Sequence, residues 1–393
     1  MKILELDNKC TGCMACFNIC PVKAISMVEN EEGFIFPSID NSICIKCYKC
    51  ENTCPEINIA KRTDRNSINK VFYGWNNDTY VRKKSSSGGV FSLLADQVIN
   101  VGGKVYGAIY NQSENRVLHK SSDNVEYEKM RKSKYTQSYI GSVYRDIKDS
   151  LLKGANVLFS GTPCQTSGLI SYLGDINKDN LIVCDFVCHG VPSMKMLNDN
   201  LNLISKKFNQ KIIDFDFRPK VKTWAADFFQ IKYENNKIRN IPWSEDSYYR
   251  GFSHNLILRK SCYGCRYSSE KHLSDITLAD FWGYHRYDKD IFDNQGISLI
   301  VINSIKGLDF INSIPEDLIT KHEINNKFAD YIYAKHDEKH YNLEKREHFF
   351  RDYVKDGYIK AIKKNNLTVS YKLLIRKKVK KIYYTTKKLL NLK

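Results

Sequence analysis

The sequence lacks a run of about 18 apolar residues, and without one no helix of this chain can span a membrane. Its first residues, Met1 to Asp7, contain no apolar signal core. We therefore expect a cytoplasmic protein with reduced thiols, because disulfides persist mainly in secreted chains. No RNP aromatic motif or paired Cys/His finger is present, so positive charge is the sole and weak argument for nucleic acid.

Acidic residues are missing from one long segment, Gly357 to Lys393, which has twelve Lys or Arg. Most of the net charge of +17 therefore belongs to this tail. Three- and four-residue steps predict a basic amphipathic helix over 366–393, with an apolar face of Leu367, Tyr371, Leu374, Ile375, Val379 and Ile382. Such a helix can pack on the body with a solvated charged face, or contact an acidic partner or the anionic inner face of the membrane.

Eight of the thirteen cysteines lie in the first 54 residues, in two copies of one pattern. The copies are Cys10, Cys13, Cys16 and Cys20 followed by Pro21, and Cys44, Cys47, Cys50 and Cys54 followed by Pro55. Two-residue gaps curl the backbone around one corner of an iron–sulfur cube, and the Cys-Pro step directs the fourth thiolate to a neighbouring cube. This ligand run is typical of a bacterial two-cluster ferredoxin, and it predicts an α+β ferredoxin-like domain over residues 1–60.

The crossed ligand pattern divides the eight thiolates between two [4Fe-4S] clusters. One cluster is predicted on Cys10, Cys13, Cys16 and Cys54, and the other on Cys20, Cys44, Cys47 and Cys50. Structural zinc is the alternative, although zinc sites usually show paired Cys-x2-Cys knuckles without a third cysteine three residues on.

The rest of the 393 residues allows one or two larger domains, and the 42% apolar share is enough to build a core. Residues 61–69 are polar and aperiodic, as expected of a linker. Strand-like and helix-like segments then alternate, which predicts an α/β body in two parts, 70–155 and 156–330, followed by a helical extension over 331–365. The predicted segments are strands at 71–75, 104–110, 156–160 and 181–187, helices at 90–101 and 139–153, and a further helix ending at 173.

Two turns of the body have the composition of an anion-binding helix start, Ser87-Gly88-Gly89 and Ser160-Gly161-Thr162. In each, Gly, Ser and Thr precede a predicted helix, so that unpaired amide groups and the positive end of the helix dipole point at one spot. Neither turn matches G-x-G-x-x-G or the Walker pattern, and an ordinary capped helix is the alternative for both.

Four of the five remaining cysteines suggest a third metal centre: Cys164, Cys188, Cys262 and Cys265. Cys164 and Cys188 each follow a predicted strand, and Cys262 and Cys265 form a two-residue knuckle. Since strand ends on one edge of an α/β sheet converge, these thiols can hold a [4Fe-4S] cluster, with zinc or unmetallated thiols as alternatives. Cys184 falls inside a strand and is predicted to be a buried bystander.

Seven ordered motifs between residues 84 and 283 resemble those of the family of beta subunits of coenzyme F-420 (deazaflavin) hydrogenases and dehydrogenases. They are Lys84-Ser-Ser-Ser-Gly-Gly-Val90, Lys134-Tyr-Thr-Gln-Ser138, Leu158-Phe-Ser-Gly-Thr-Pro-Cys-Gln165, Cys188-His-Gly-Val-Pro-Ser193, Phe217-Arg-Pro-Lys220, Cys262-Tyr-Gly-Cys265 and Asp275-Ile-Thr-Leu-Ala-Asp-Phe-Trp-Gly283. The resemblance covers about residues 70 to 330, with the ferredoxin module fused in front. It implies an α/β flavin- and iron–sulfur-binding body with FAD and a third [4Fe-4S] cluster on the four cysteines named above.

The resemblance also suggests roles for single residues. The flavin or its phosphates would be held by Ser87, Gly88, Gly89, Ser160, Gly161 and Thr162. Lys134 would supply a positive charge and Gln165 a hydrogen bond to the ring edge. His189 is a candidate proton donor, although a His beside a cluster ligand is more often structural. Asp275 and Asp280 either shape the pocket or make structural hydrogen bonds.

The sequence thus predicts an iron–sulfur flavoprotein oxidoreductase. Electrons from a low-potential donor, such as a ferredoxin-like protein or a hydrogenase or dehydrogenase subunit, would pass through the clusters and FAD to an organic or deazaflavin acceptor, or in reverse. The alternative is a non-catalytic subunit that relays electrons to a partner enzyme, with surface-polysaccharide metabolism as one setting. A nucleic-acid binder is the weakest class.

Overall fold

The computed structural model describes residues 2–6, 8–58, 70–221, 223–225, 227–267, 272–287, 291, 293–325 and 341–369. The predicted linker 61–69, the first part of the predicted extension (331–340) and most of the basic tail (370–393) lie outside these ranges. No helix of the described part is both long enough and apolar enough to cross a bilayer.

The N-terminal domain consists of two short helices and a hairpin, α1 (Ala15–Ile19), β1 (Ile25–Glu29), β2 (Ile35–Ile39) and α2 (Lys49–Thr53). β1 and β2 pair antiparallel, with Met27 opposite Pro37. Each helix carries the third cysteine of its run, so the two cysteine runs adopt the same local structure.

The body is built around a mixed sheet of eight strands in the order β13-β3-β12-β11-β7-β6-β4-β5. The strands are β3 (Lys70–Asn76), β4 (Lys104–Asn111), β5 (Arg116–Ser121), β6 (Val157–Ser160), β7 (Leu181–Phe186), β11 (Ile276–Asp280), β12 (Ser298–Ile302) and β13 (Ile319–Ile324). The central four, β11, β7, β6 and β4, are parallel, and the outer pairings are antiparallel. The sequence therefore correctly predicted an α/β body.

Helices cover both faces of the large sheet because its central strands are apolar on both sides. These helices are α3 (Thr79–Lys83), α4 (Val90–Asn100), α5 (Val143–Leu152), α6 (Pro163–Leu173), α9 (Tyr284–Tyr287) and α10 (Ile305–Asn312). Leu93 and Leu94 of α4 pack with Leu158 in one core, and Tyr144 of α5 packs with Phe159 and Leu169 in another. Two hydrophobic layers therefore hold the sheet from opposite sides.

A second, smaller sheet belongs to a separate part of the body. It has the order β10-β9-β8 and is antiparallel throughout, with β8 (Ile212–Asp216), β9 (Phe228–Tyr233) and β10 (Ile238–Pro242). It shares a core with α7 (Met194–Phe208), α8 (Ser247–Ser253), α11 (Leu343–Asp356) and α12 (Tyr358–Lys364). Leu367 completes this core at 1% exposure, and Arg250 Nε donates to its carbonyl at 3.0 Å.

The N-terminal domain packs into the body instead of standing apart from it. Met14, Ala15 and Phe34 are each 1% exposed, the first two within the core around Leu169 and the third within the core of the small sheet. Hydrogen bonds across the contact are donated by Asn18 to Gly141, Arg145 to Phe17 and Asn18, Gln137 to Thr11, Ser193 to Glu32, Lys195 to Glu31, and Arg259 to Cys10 and Ile35. The contact is thus both apolar and specific.

One predicted helix begins later than the periodicity suggests. Helix α5 starts at Val143 and not at Tyr139, because Tyr139 bridges Leu118 at the sheet edge and Gly141 takes a φ of 58°. A Gly in that left-handed conformation interrupts the α-helical path and places the start of the helix beyond it.

We predict that Phe34→Ala lowers the free energy of unfolding by about 3 to 5 kcal/mol, because it removes a large buried side chain shared by two parts of the molecule. Chemical denaturation followed by intrinsic fluorescence measures this loss. Val28→Ala, in the same hairpin but 52% exposed, should change the value by no more than about 0.5 kcal/mol. If Phe34→Ala lowers the free energy of unfolding as little as Val28→Ala does, the N-terminal domain and the body do not share a core at Phe34.

Candidate functional site

The first group of thiols, Cys10, Cys13, Cys16 and Cys54, lines one cavity. Burial is the largest cause that raises the pKa of the Cys13 and Cys16 thiols, and it raises the pKa of Cys54 to about 11. Buried thiols this close together repel one another once ionised, so a bound cation is needed to hold them as thiolates. The donor set therefore fits an iron–sulfur cube.

The second group, Cys20, Cys44, Cys47 and Cys50, lines a separate cavity. The backbone amide of Ala24 donates to Cys20 Sγ at 3.2 Å. Cys47 is exposed, and the apolar side chains of Ile43, Ile45 and Tyr48 around it are 49%, 62% and 50% exposed. This group therefore faces solvent, whereas the first group is turned toward the body.

The two cysteine loops repeat an unusual backbone conformation. Gly12 and Met14 have φ values of 69° and 64°, and their equivalents Lys46 and Tyr48 have values of 54° and 56°. Side chains other than glycine adopt this left-handed region at an energetic cost. Its recurrence at matching positions shows that the same curled path brings the thiols of each loop together.

A third group of thiols gathers at the carboxyl edge of the large sheet. Cys164 begins α6 just after β6, Cys188 follows β7, and Cys262 and Cys265 lie in or beside a 3₁₀ turn at Lys260–Gly264. Burial raises the pKa of Cys164 to about 11 and that of Cys262 to about 12, and repulsion from Cys265 is the next cause in both.

Cys188 belongs to the same group, since its pKa is raised first by burial and then by repulsion from Cys262 and Cys164. Cys184 is buried in β7, where burial, Asp185 and Asp275 raise the pKa of its thiol. Within the described ranges no three His, Cys, Asp or Glu side chains are spaced for a single metal ion. The thiols of the first two groups instead surround larger cavities.

The first and third groups lie next to each other across helix α6. A Cβ added to Gly168 would lie 3.0 Å from both Cβ and Sγ of Cys13, and Gly168 is one turn beyond Cys164. Cys164 also contributes to the raised pKa of Cys13. The docked N-terminal domain thus brings Cys13 of the first group close to Cys164 of the third group.

The turn before α6 is organised by a capping box. Thr162 Oγ1 accepts from the Gln165 amide at 3.4 Å, and Gln165 Oε1 accepts from the Thr162 amide at 3.0 Å. The side-chain amide of Gln165 donates to Ser138 O and Oγ, and Thr162 Oγ1 lies 3.1 Å from Cys164 Sγ. Both side-chain amide hydrogens of Gln165 are thus donated within the protein, and Thr162 contacts a thiol of the third group.

The other predicted turn is held against the strand β12. Ser87 Oγ donates to Ile297 O at 2.7 Å, and the Gly88 amide donates to Ser298 Oγ at 3.0 Å. A Cβ at Gly88 would lie 2.5 Å from Gly74 O, so only glycine fits there. Gly89 has a φ of 84° and precedes α4 without a side-chain cap. Gly89 therefore sets the start of α4. Two groups expected to contact an anion, Ser87 Oγ and the Gly88 amide, already donate hydrogen bonds within the protein.

A half-buried lysine lies beside this turn. Lys220 Nζ donates to the carbonyls of Arg82 at 2.7 Å and Ser87 at 2.6 Å, and also to that of Gln295. Burial lowers the pKa of Lys220 to about 7, with the charge of Arg82 as the next cause. The backbone oxygens thus hold a weakly charged ammonium group against the Ser87 turn.

Lys134 and Ser160 are brought together through His119. The Lys134 ammonium donates to Lys129 O at 2.9 Å and Arg131 O at 2.5 Å, and burial lowers its pKa to about 7. Burial lowers the pKa of His119 to about 4, and the charge of Lys134 lowers it further, so the ring is neutral at physiological pH. His119 Nε2 therefore donates to Ser160 O at 3.0 Å, leaving Nδ1 as a buried acceptor without a partner among the described residues.

The remaining sequence candidates make structural contacts. His189 lies 3.3 Å from Phe252 O through Nε2, and its own carbonyl accepts from Tyr341. Asp275 accepts from the Val183 amide and from Ser304. Asp280 pairs with Arg218 at 2.5 Å, and Arg218 also lies 5.1 Å from the ring of Trp282. The structure places Asp280, unlike Asp275, beside an aromatic surface.

Sequence reasoning did not single out Arg259, Gln137 or His119. Arg259 is fully buried, and its Nε donates to the carbonyl of Cys10 in the first group of thiols. In the sequence, its position three residues before Cys262 is the feature that could have identified Arg259 as part of the site. Gln137 lies inside the Lys134–Ser138 motif, and His119 is a polar residue on the apolar strand β5.

Comparison with protein-family models gives two matches. Residues 154–327 match the model for the C terminus of the beta subunit in coenzyme F420 hydrogenase/dehydrogenase. Residues 9–58 match the model of a 4Fe-4S dicluster domain. The first match begins well after residue 70, where the motif resemblance begins. The second match supports the assignment of the eight N-terminal cysteines to iron–sulfur clusters over structural zinc.

Two individual proteins match parts of this chain. The F-type subunit of the F(420)H(2) dehydrogenase of Methanosarcina mazei is 21% identical over 278 residues, which cover 67% of this chain and 74% of the relative. An uncharacterized polyferredoxin-like protein of Methanocaldococcus jannaschii is 31% identical over 62 residues, 14% of this chain and 37% of the relative.

Among solved structures, a chain of the F420-reducing [NiFe] hydrogenase complex from Methanosarcina barkeri superposes with a TM-score of 0.47 at 14% identity, over 72% of this chain and 94% of that chain. The family matches agree with the order of the motifs and with the positions of the thiol groups along the chain. The chain therefore carries a 4Fe-4S dicluster domain at its N-terminus, followed by a domain of the type found at the C terminus of coenzyme F420 hydrogenase/dehydrogenase beta subunits.

Proposed function

We propose that this chain is an iron–sulfur flavoprotein oxidoreductase. Its third thiol group would hold a [4Fe-4S] cluster, and its body would bind FAD, with electrons exchanged between a low-potential donor and an organic or deazaflavin acceptor. The observation that carries the proposal is the placement of Cys13 against Gly168, one helical turn from Cys164. The first and third groups of thiols are thereby neighbours, and with the second group, which faces solvent, they would form a line from the surface to the sheet edge.

The exposure of the thiols gives this line a direction. Cys47 is exposed and is surrounded by Ile43, Ile45 and Tyr48, an apolar surface of the kind that binds proteins. We assign this surface to the redox partner, a ferredoxin-like protein or a hydrogenase or dehydrogenase subunit. The first group has no exposed thiol, whereas the third group has one, Cys265, through which its side of the molecule would be accessible to an acceptor.

The flavin is proposed at the turn Ser160-Gly161-Thr162, with Ser87, Gly88 and Gly89 as the second contact. A flavin there would connect single-electron chemistry to hydride transfer. Lys134 would supply a cation for the phosphates, and neutral His119 fixes the Ser160 carbonyl. Thr162 contacts Cys164, so the same turn would serve both cofactors. His189 remains a candidate proton donor and Gln165 a candidate ring contact.

One observation favours the second candidate, an electron relay without flavin. Ser87 Oγ, the Gly88 amide and the Gln165 side-chain amide already donate to protein acceptors. Anaerobic purification with iron, sulfide and acid-released flavin measured on one sample tests the choice. Stoichiometric flavin that is reduced when the clusters are reduced supports the flavoprotein, and its absence from a fully iron-loaded chain supports the relay.

We predict that Cys262→Ser removes about one third of the bound iron and leaves the N-terminal pair of clusters intact, because it removes one thiolate from the third group. Iron and sulfide analysis with electron paramagnetic resonance measures the loss. Cys184→Ala, which changes a buried cysteine in the same region, should retain full iron. Loss of one zinc ion with unchanged iron would show a zinc site instead.

Flavin affinity should depend on the charge of Lys134. Its pKa of about 7 means that the cation is present below pH 7 and lost above it, so the affinity for anionic FAD should fall about tenfold as pH rises through that range. Equilibrium binding of FAD to the flavin-depleted chain measures this dependence. Lys134→Met should remove it, whereas Lys129→Met, which changes an exposed neighbour, should not. An unchanged pH profile in Lys134→Met would refute the assignment.

We further propose that the basic tail contacts an anionic membrane surface. Deleting residues 370–393 removes nine Lys or Arg while keeping buried Leu367. Truncation should leave iron content unchanged and abolish salt-sensitive co-sedimentation with anionic vesicles, since each basic residue near a charged surface contributes about 1 kcal/mol. Neutral vesicles are the control, and equal sedimentation of both chains would contradict the proposal.

A further inference from the structure

Arg259 joins the first and third thiol groups by direct contacts. Its Nε donates to Cys10 O at 2.7 Å, Nη1 to Gln137 Oε1 at 3.0 Å and Nη2 to Ile35 O at 2.9 Å. Its backbone amide donates to Val191 O, in the loop that follows Cys188, and its carbonyl accepts from the Cys262 amide at 2.9 Å. The residue thus contacts two of the three cysteine segments of the body, those of Cys188 and Cys262, and one of the N-terminal domain.

The guanidinium is buried without a carboxylate. Arg259 is 1% exposed, and within the described part of the chain it forms no ion pair with Asp or Glu. Its partners are two carbonyl oxygens and one amide oxygen, with the rings of Phe36 and Phe34 at 4.4 Å and 5.6 Å. A buried cation is costly unless an opposite charge compensates it.

The thiols of the third group lie close enough for the charge of Arg259 to act on them. The charge of Arg259 acts on both Cys164 and Cys262, lowering the pKa of each against the larger effect of burial. A [4Fe-4S] cluster with four thiolate ligands carries net negative charge, which a nearby guanidinium stabilises. The cysteine groups would therefore supply the negative charge that no carboxylate of the described residues supplies to Arg259.

We propose that Arg259 is a positioning residue that sets the spacing of the first and third centres and serves as their common counter-charge. For the third centre this rests on the proposed function above, whereas for the first centre it rests on the N-terminal dicluster domain alone. Reduction of a cluster adds one electron and no proton, so its charge becomes one unit more negative. A fixed cation between the two centres favours that reduced state in both.

The local geometry requires an arginine. Three separate nitrogens reach acceptors on three different segments, an arrangement that a lysine ammonium on a flexible chain does not reproduce. Gly12 permits the close approach, because a Cβ there would lie 2.5 Å from Gln137 Nε2 and 3.0 Å from Arg259 Nη1. The glycine between Cys10 and Cys13 thus makes room for the cation and its amide partner.

The test is a dithionite titration followed by electron paramagnetic resonance on the iron-loaded full chain. Cys47→Ser and Cys262→Ser identify the signals of the second and third centres. In Arg259→Met the ratio of reduced to oxidised first and third centres at a fixed potential should fall on the order of tenfold. The second centre should not change, because none of its four ligands, all of them described residues, contacts Arg259.

Arg346→Met is the matched control. Arg346 is also 1% exposed and also fastens the N-terminal domain, but it pairs with Glu32 and donates to Leu258 O. Its loss should loosen the domain contact without moving the potential of any centre. An equal shift in both variants would show that domain docking, and not the charge of Arg259, sets the potentials.

A second variant, Gln137→Glu, keeps Arg259 and the shape of the site. It tests the same proposal if the Arg259→Met protein does not assemble its clusters. A carboxylate beside Arg259 neutralises it, so the first and third centres should shift in the same direction as in Arg259→Met. Unchanged ratios in Gln137→Glu would overturn the proposal. If the ratio for the first centre shifts but the iron content accounts for only two clusters, the role of Arg259 at the first centre is upheld and the third cluster is rejected.

Discussion

The close contact between Cys13 and Gly168 is the constraint on which the rest of the molecule depends. The rate of electron transfer between two centres falls steeply with the distance between them. Because Gly168 of helix α6 has no side chain, the Cys13 loop can approach the third group of thiols closely. Any side chain at Gly168 would displace Cys13, whose Sγ lies 3.0 Å from the Cβ position. The buried Met14, Ala15 and Phe34 hold the N-terminal domain at that contact.

The large sheet supplies the other half of this arrangement. Parallel pairing sets Ser160 beside Cys184, so the loops that follow β6 and β7 begin at neighbouring points of one sheet edge, as is usual for ligand sites in α/β folds. Cys164 and Cys188 lie in those loops. The Cys262 turn comes from elsewhere, since it follows α8, and the α8 core with the small sheet and α11 fixes it. Both parts of the body are therefore needed to complete the third group.

Local spacing was enough to predict the thiol groups and the strands β3, β4, β6 and β7, because cysteine intervals and apolar alternation are properties of short segments. The small antiparallel sheet was not predicted. Its strands are short and half-buried, and the sequence of a single strand does not indicate which other strand it pairs with. The docking of the N-terminal domain was missed for the same reason. Arg259 contacts Cys10 across 249 residues, and only the folded chain brings the two together.

The buried and half-buried cations discussed above separate into two kinds. Arg346, Arg218 and Arg82 each pair with a carboxylate, so their charges are compensated within the protein. Arg259 and Lys134 are hydrogen-bonded to neutral oxygens, and each lies where an anion is proposed, the first at the thiol groups and the second near Ser160. A charge left uncompensated by the protein is unfavourable until its ligand binds. The proposed cofactors would account for these positions, whereas the paired arginines are explained by the fold.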